Sequence, residues 1–283
     1  MNRAYLFLLF VSLIGCGTAS QQAPGAEIDA LVPKAESKAP RNSVPVIHVF
    51  VALCDNVNQG IVPVAPSLGN GDDPAKNLYW GAAFGVRTFF NKSADWQPVS
   101  SISPSNKSSS VVLDRLVLKH RGSGAFLVAE AYRGSSIRQA TEDFLAAASG
   151  TPGEAMTVVF NGKASDIYLG GSADMIVYVG HDGLMDFQLT SIPRKRDDEK
   201  RDAVILACAS KSYFADALRT TGANPLLWTT NLMAPEAYIL SAAVEGWLNH
   251  EPDYQIRTRA AKAYDKYQHC GMRSADMLFA SGW

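Results

Sequence analysis

Net charge is what this sequence has least of. Its 26 Lys and Arg stand against 27 Asp and Glu, a formal charge of −1, so neither nucleic acid nor an anionic membrane surface finds an excess of cations to bind. Histidine and cysteine are scarce as well, 5 and 4 residues among 283. His48, His120, His250 and His269 fall at no metal-ligand spacing, and Asn70, Asp72 and Asp73 do not follow a calcium-loop pattern, so no metal and no other cofactor is expected. Nothing like Gly-x-Ser-x-Gly surrounds Ser210, which argues against a serine nucleophile on an elbow turn. Internal repeats are absent, and the apolar run Tyr5–Ile14 is too short to span a bilayer comfortably. What is present, 47% hydrophobic and 10% aromatic residues, suffices for a sizeable globular core.

The first residues differ in kind from the rest. Arg3 followed by the run Tyr5–Ile14 reads as the charged and apolar regions of a signal peptide over residues 1–15. The run closes on Leu13-Ile14-Gly15-Cys16, which resembles the lipobox of bacterial lipoproteins; the alternative is an ordinary secretory signal with an incidental cysteine. The resemblance implies that Cys16 carries lipid, becomes the new N-terminus and anchors the chain in the bacterial cell envelope. Gly17, and not Asp, follows it; by likeness to enterobacterial sorting rules this implies the periplasmic face of the outer membrane. Residues 16–44, rich in Ala, Pro, Ser and Gln after the cysteine, read as a flexible tether, and residues 45–283 as the folded domain. Three cysteines then remain in that domain, Cys54, Cys208 and Cys270. An odd number in an oxidising compartment leaves at least one thiol unpaired, which needs burial or a task.

Near-continuous hydrophobic blocks, VIHVFVALC (46–54), GAFLVAEAY (124–132), DMIVYVG (174–180), DAVILAC (202–208) and NPLLWTT (224–230), have the composition of strands buried on both faces. Helical patterns separate them. Asp73-Pro74 is an N-cap and first-turn pair opening AKNLYWGAAFGVRTFF. Ser136 opens a helix whose Ile137, Ala140, Phe144, Leu145 and Ala148 share one face before Gly150. Further helices are expected from Pro235 to Trp247 and from Ile256 to Tyr267. The alternation predicts a mostly parallel sheet with helices on both faces. TVVFNGKASDIYLG (157–170) interrupts it as a β-hairpin turned at Asn161-Gly162, and the Ser-rich stretch 91–123 contains one strand-like block, Val111–Leu118.

In an open parallel sheet the loops at the carboxyl ends of the strands gather the chemistry. Three blocks end on reactive side chains: Cys54-Asp55-Asn56, Gly180-His181-Asp182-Gly183 and Ala207-Cys208-Ala209-Ser210. If the third and fourth strands are neighbours, His181 and Cys208 meet across the roughly 4.8 Å that separates paired strands. A thiol beside an imidazole is a nucleophile pair: the thiolate attacks a carbonyl and the imidazolium protonates the departing amine. The backbone N–H groups of Gly183 and Cys208 are the candidate oxyanion donors.

IVYVGHDG and AVILACAS resemble the motifs of the clan CD cysteine peptidases, the superfamily of caspases, metacaspases, legumain, gingipains, clostripain and the bacterial CHAT domains. The later TGANPLLWTTNLMAPEAYILSAAVEGWLN is similar to the CHAT and gingipain pattern after the nucleophile. The resemblance implies a three-layer caspase-like α/β sandwich with a small hairpin insertion, and cleavage of peptide or isopeptide bonds in a peptide or protein substrate. One departure is that the usual run is Gly-His-Gly, whereas Asp182 intervenes here. In several members of the superfamily an acidic residue near the position of Asp55 lines the pocket for a basic P1 side chain; the other reading of Asp55 is a turn cap in CDNVNQG. Asp182 likewise either contributes to the site by orienting His181 or caps its loop. CDNVNQGIVPV and GNGDDPAKNLYWG resemble stretches of uncharacterised bacterial proteins and imply no activity. A non-catalytic scaffold that keeps this fold is the alternative function, which the inserted Asp182 permits.

Overall fold

Apolar residues on both faces of successive strands force the sheet into the middle of the molecule. The computed structural model describes residues 40–102 and 110–283. The expected signal segment 1–15, Cys16 and the tether as far as residue 39 lie outside the described residues. The strands are β1 Val46–Ala52, β2 Trp96–Pro98, β3 Ser100–Ile102, β4 Val112–His120, β5 Phe126–Tyr132, β6 Pro152–Phe160, β7 Lys163–Gly170, β8 Met175–Val179, β9 Asp202–Leu206, β10 Asn224–Thr229 and β11 Phe279–Ala280. The helices are α1 Val86–Asn91, α2 Ile137–Ala148, α3 Ser210–Thr221, α4 Ala237–Leu248, α5 Asp253–Gln268 and α6 Met272–Leu278.

Eight strands pair in the order β11-β10-β9-β8-β1-β5-β4-β2. The five expected blocks, β5, β1, β8, β9 and β10, are mutually parallel; β4, β2 and β11 are antiparallel to their neighbours at the edges. Residues of each strand alternate between two cores, as the pleat requires. Ile47, Val49 and Val51 face the core that contains Phe90 of α1, Leu240 and Val244 of α4, and Ala260 of α5. Val46, Phe50 and Ala52 face the core with Phe144 of α2 and Phe214 of α3. A mostly parallel central sheet thus separates two helical layers. Among the described residues no helix is long and apolar enough to cross a membrane.

The expected hairpin forms as β6 and β7, with Asn161 and Gly162 both at positive φ, 49° and 73°, as a primed two-residue turn demands. The β6–β7 pair adds β3 to make a separate three-stranded sheet, and its Met156, Val158, Ile167 and Leu169 cover the α2 side of the core. The domain begins slightly before residue 45. Asn42 donates its Nδ2 to the carbonyls of Tyr168 and Ser172 and accepts from Tyr168 N–H, so it is already tied to β7 and the turn that follows.

The helix expected after Asp73-Pro74 is a correction. Asp73 does accept from Ala75 N–H, but residues 74–84 are a chain of turns and helix begins only at Val86. The cause is Asn77, whose amide competes with the helical backbone. Fully buried, it donates Nδ2–H to the carbonyls of Cys54 and Asn70 and accepts at Oδ1 from Cys54 N–H and Tyr79 N–H. All four valences of the amide are filled, and both backbone groups of Cys54, just beyond β1, depend on it. Asn77→Ala is therefore expected to cost about 3–5 kcal/mol, since two buried backbone groups lose their partners. A urea titration checks this; a loss under about 1 kcal/mol would show that Asn77 does not hold the strand tip.

Candidate functional site

β8 and β9 are in register from Met175 opposite Asp202 to Val179 opposite Leu206. His181 and Cys208 therefore leave neighbouring parallel strands at equivalent positions, two residues past each strand end, on the carboxyl edge of the sheet. Gly180 permits this exit. Its φ is 151°, its N–H donates to Leu206 C=O at 3.2 Å, and a Cβ there would lie 2.8 Å from the carbonyl oxygen of Ala52. On β9 the chain turns through Ala209, a left-handed non-glycine residue with φ 48° and ψ 31°, a conformation costing about 1–2 kcal/mol. Strain of this kind concentrates where a side chain must be presented. The turn is held from both sides. Ala209 N–H donates to Asn231 C=O, and the buried Ser210 hydroxyl donates to Ile205 C=O and meets Thr229 Oγ1. Ser210 thus pins the first turn of α3 to β9 and β10.

The imidazole of His181 is almost fully buried, and its Nε2 lies 2.7 Å from Asp186 Oδ2. The same oxygen accepts Gly60 N–H at 3.0 Å, and the His181 carbonyl accepts the Tyr178 hydroxyl. A carboxylate facing Nε2 favours the tautomer that carries its proton there, and among the described residues no hydrogen bond is formed to Nδ1. Asp186 escapes a reading of the sequence, because only the short 3-10 turn at Gly183–Met185 folds it back onto the histidine. An acidic residue five positions after the strand-end histidine is the one signal that could have found it.

Asp182 caps that turn. Oδ1 accepts Leu184 N–H at 3.0 Å, while Oδ2 is buried without a partner. Burial, reinforced by the charge of Asp186 and opposed by the Leu184 N–H, pushes its carboxyl up to about 7. Gly183 is required by packing, since a Cβ would come 2.7 Å from the Phe187 ring. Neither its N–H nor that of Cys208 has an acceptor among the described residues.

Cys208 is half-buried and unbridged, as are the buried Cys54 and the exposed Cys270 free of disulfides. Its Sγ donates to Met233 C=O at 3.5 Å and accepts Met233 N–H at 3.4 Å. Burial raises the thiol's pKa; the contact with Met233 lowers it, and the nearby Asp182 raises it. No hydrogen bond joins the sulfur to the imidazole; the partner of the one is Met233 and of the other Asp186. Asp182→Asn removes a charge that opposes the thiolate. It is expected to speed alkylation of Cys208 at pH 8 by about three- to tenfold, equivalent to about 0.5–1 pKa unit, with no difference at pH 5, where Asp182 is already neutral. Stability shifts in the same variant. A carboxyl raised from 3.8 to about 7 contributes stability below its unfolded pKa that is lost as pH rises through the folded one. Asp182→Asn should thus exceed the parent above pH 7 by on the order of 3 kcal/mol. Parallel urea titrations at pH 5 and pH 8 read it; an unchanged gap would refute the burial of a neutral Asp182.

Asp55 sits two strands away from Cys208, beyond the end of β1. Its carboxylate accepts Val57 N–H, Asn58 N–H and Asn58 Nδ2–H, which fixes its own loop, and it also lines an open cavity of about 380 Å³ with Asn70 and Asp72. Gln59 completes the loop by bonding Asp55 N–H, Leu53 C=O and Gly134 C=O. CDNVNQG and GNGDDPAKNLYWG thus interlock through Asn77 and Asn56, whose N–H donates to Gly69 C=O. Among the described residues no group of three or more His, Cys, Asp or Glu is arranged to hold a metal ion. No family model, no curated protein and no solved structure matches this chain.

Proposed function

We propose that the protein is a cysteine peptidase of the caspase-like kind, hydrolysing peptide or isopeptide bonds with Cys208 as nucleophile and His181 as general acid and base. The single observation that carries this reading is the register of β8 and β9, which delivers the thiol and the imidazole from adjacent strand tips. The Asp186 carboxylate supports it by keeping Nε2 protonated and Nδ1 free.

In this mechanism the resting thiol is neutral, as its raised pKa requires, and its proton passes to His181 Nδ1 when the sulfur turns from Met233 toward a bound carbonyl. The thiolate attacks the carbonyl carbon. The oxyanion that forms is met by the N–H groups of Gly183 and Cys208, which have no other acceptor. The imidazolium then protonates the departing amine, leaving a thioester on Cys208. His181 next takes a proton from water, whose hydroxide hydrolyses the thioester and restores the thiol. Asp55, its carboxylate engaged by its own loop, contributes loop architecture, and a basic P1 preference gains no support from its geometry. In the same proposal, lipid on Cys16 holds the enzyme at the periplasmic face of the bacterial outer membrane, where it meets peptide or protein substrates.

One observation favours a second reading, a binding scaffold without turnover: the thiol is already hydrogen-bonded to Met233 and its pKa is raised. A mass-spectrometric survey of a diverse peptide mixture separates the two. New termini generated by the parent protein support the peptidase; an intact mixture after prolonged incubation supports the scaffold and rejects turnover.

A further inference from the structure

The segment just before Met233 walls a cavity of about 430 Å³ together with Tyr264, Cys270 and Met277, its own contribution being Thr230, Asn231 and Leu232. That segment runs directly into the residue that contacts the candidate nucleophile. Met233, the next residue after Leu232, holds the Cys208 sulfur through both its N–H and its C=O, and Asn231 C=O accepts the N–H of Ala209. The opposite wall is fastened to the same segment, because the Tyr264 hydroxyl accepts Ala234 N–H and the Thr230 hydroxyl donates to Met277 C=O. No residue lining the cavity carries a formal charge. Leu232 and Met277, both lining the cavity, are each 68% exposed, so burying them under an apolar group would remove apolar surface from water. The Leu232 carbonyl accepts no hydrogen bond among the described residues, which leaves an acceptor for the N–H of an extended chain lying along the rim.

We propose that this cavity is a specificity subsite that takes an uncharged, apolar side chain, of the size of Leu, Met or Phe, from the peptide presented to Cys208. The inference rests on the peptidase reading and adds to it the class of substrate. A Lys or Glu side chain entering the cavity would shed water and find no counter-charge in the lining, whereas an aliphatic or aromatic one would cover Leu232 and Met277. Since Cys270 is exposed and lines the cavity, an occupant must shield its sulfur.

Cys270 therefore supplies a readout that does not depend on turnover. The full chain bearing Cys208→Ala is treated with iodoacetamide in the presence of acetylated pentapeptides of Ala with Leu, Phe, Lys or Glu at the centre, and Cys270 labelling is followed by peptide mass. Leu and Phe peptides at millimolar concentration are expected to slow Cys270 alkylation by at least about threefold, the factor set by occupancy, and Lys and Glu peptides to leave it unchanged. Leu232→Ser combined with Met277→Ser should remove the protection. Equal protection by charged and apolar peptides, or none by any, overturns the subsite. Cleavage of the same peptides by the parent protein is scored separately. Selective protection without cleavage would reject the peptidase reading while leaving the apolar site in place, and cleavage without selective protection would do the reverse.

Discussion

Cys208→Ala is expected to lower peptide cleavage by at least about 1,000-fold, because covalent catalysis has no substitute nucleophile in the site. Ser210, the nearest hydroxyl in sequence, is fully buried and already donates to Ile205 C=O. The fold should survive the change. The sulfur is half-buried and makes only two long bonds, both to Met233, so the expected stability loss is about 1 kcal/mol. Cys54 provides the control. It is fully buried among core side chains, and burial, only partly offset by its contact with Tyr79, pushes its thiol up to about 11. An inert thiol of this kind matters for packing. Cys54→Ala should cost stability and retain turnover, the inverse pattern to Cys208→Ala. Measuring kcat/KM and urea midpoints for both variants checks the pair; retained cleavage in Cys208→Ala removes the nucleophile from the account.

Asp186→Asn should reduce kcat by about 100- to 10,000-fold, the range seen when the partner that sets a catalytic tautomer is lost, at a folding cost of about 1 kcal/mol. The carboxylate accepts from Nε2 and so reserves Nδ1 as the base. An amide can present its NH2 to Nε2 instead, which places the ring proton on Nδ1 and turns the base into a donor. The oxygen that meets Nε2 is also the acceptor of Gly60 N–H, so an amide nitrogen in its place costs that exposed loop one hydrogen bond as well. Asp182→Asn is the discriminating comparison. From the sequence, Asp182 is a candidate for orienting His181, yet its carboxyl bonds Leu184 N–H and leaves the imidazole to Asp186. Loss of turnover in Asp182→Asn, with Asp186→Asn unaffected, would reverse these assignments.

The parallel sheet is legible in the sequence because a strand covered on both faces must be apolar at every position, and β1, β5, β8 and β9 are such strands. The hairpin is legible because Asn161-Gly162 specifies a turn with two positive φ values. The edges are not: β2 and β11, of three and two residues, are too short to carry a period. The false helix at Asp73-Pro74 shows the limit of local signals, since one amide, Asn77, redirects residues 74–84 out of a good helical pattern by bonding a strand tip distant in sequence. At the site, His181 and Cys208 could be proposed from strand endings alone. Asp186, the Met233 contact with the thiol and the charge-free cavity could not, because each depends on loops that approach one another only after the sheet has formed.

The central claim is that His181 activates Cys208. The most direct measurement is the second-order rate at which a panel of peptidyl acyloxymethyl ketones labels Cys208 at pH 7, in the parent protein and in His181→Ala. Removal of the general base is expected to slow labelling at Cys208 by about 100-fold or more, while iodoacetamide labelling of Cys270 stays the same. Equal rates of ketone labelling in the two proteins would contradict the account and leave Cys208 a half-buried thiol without a catalytic partner.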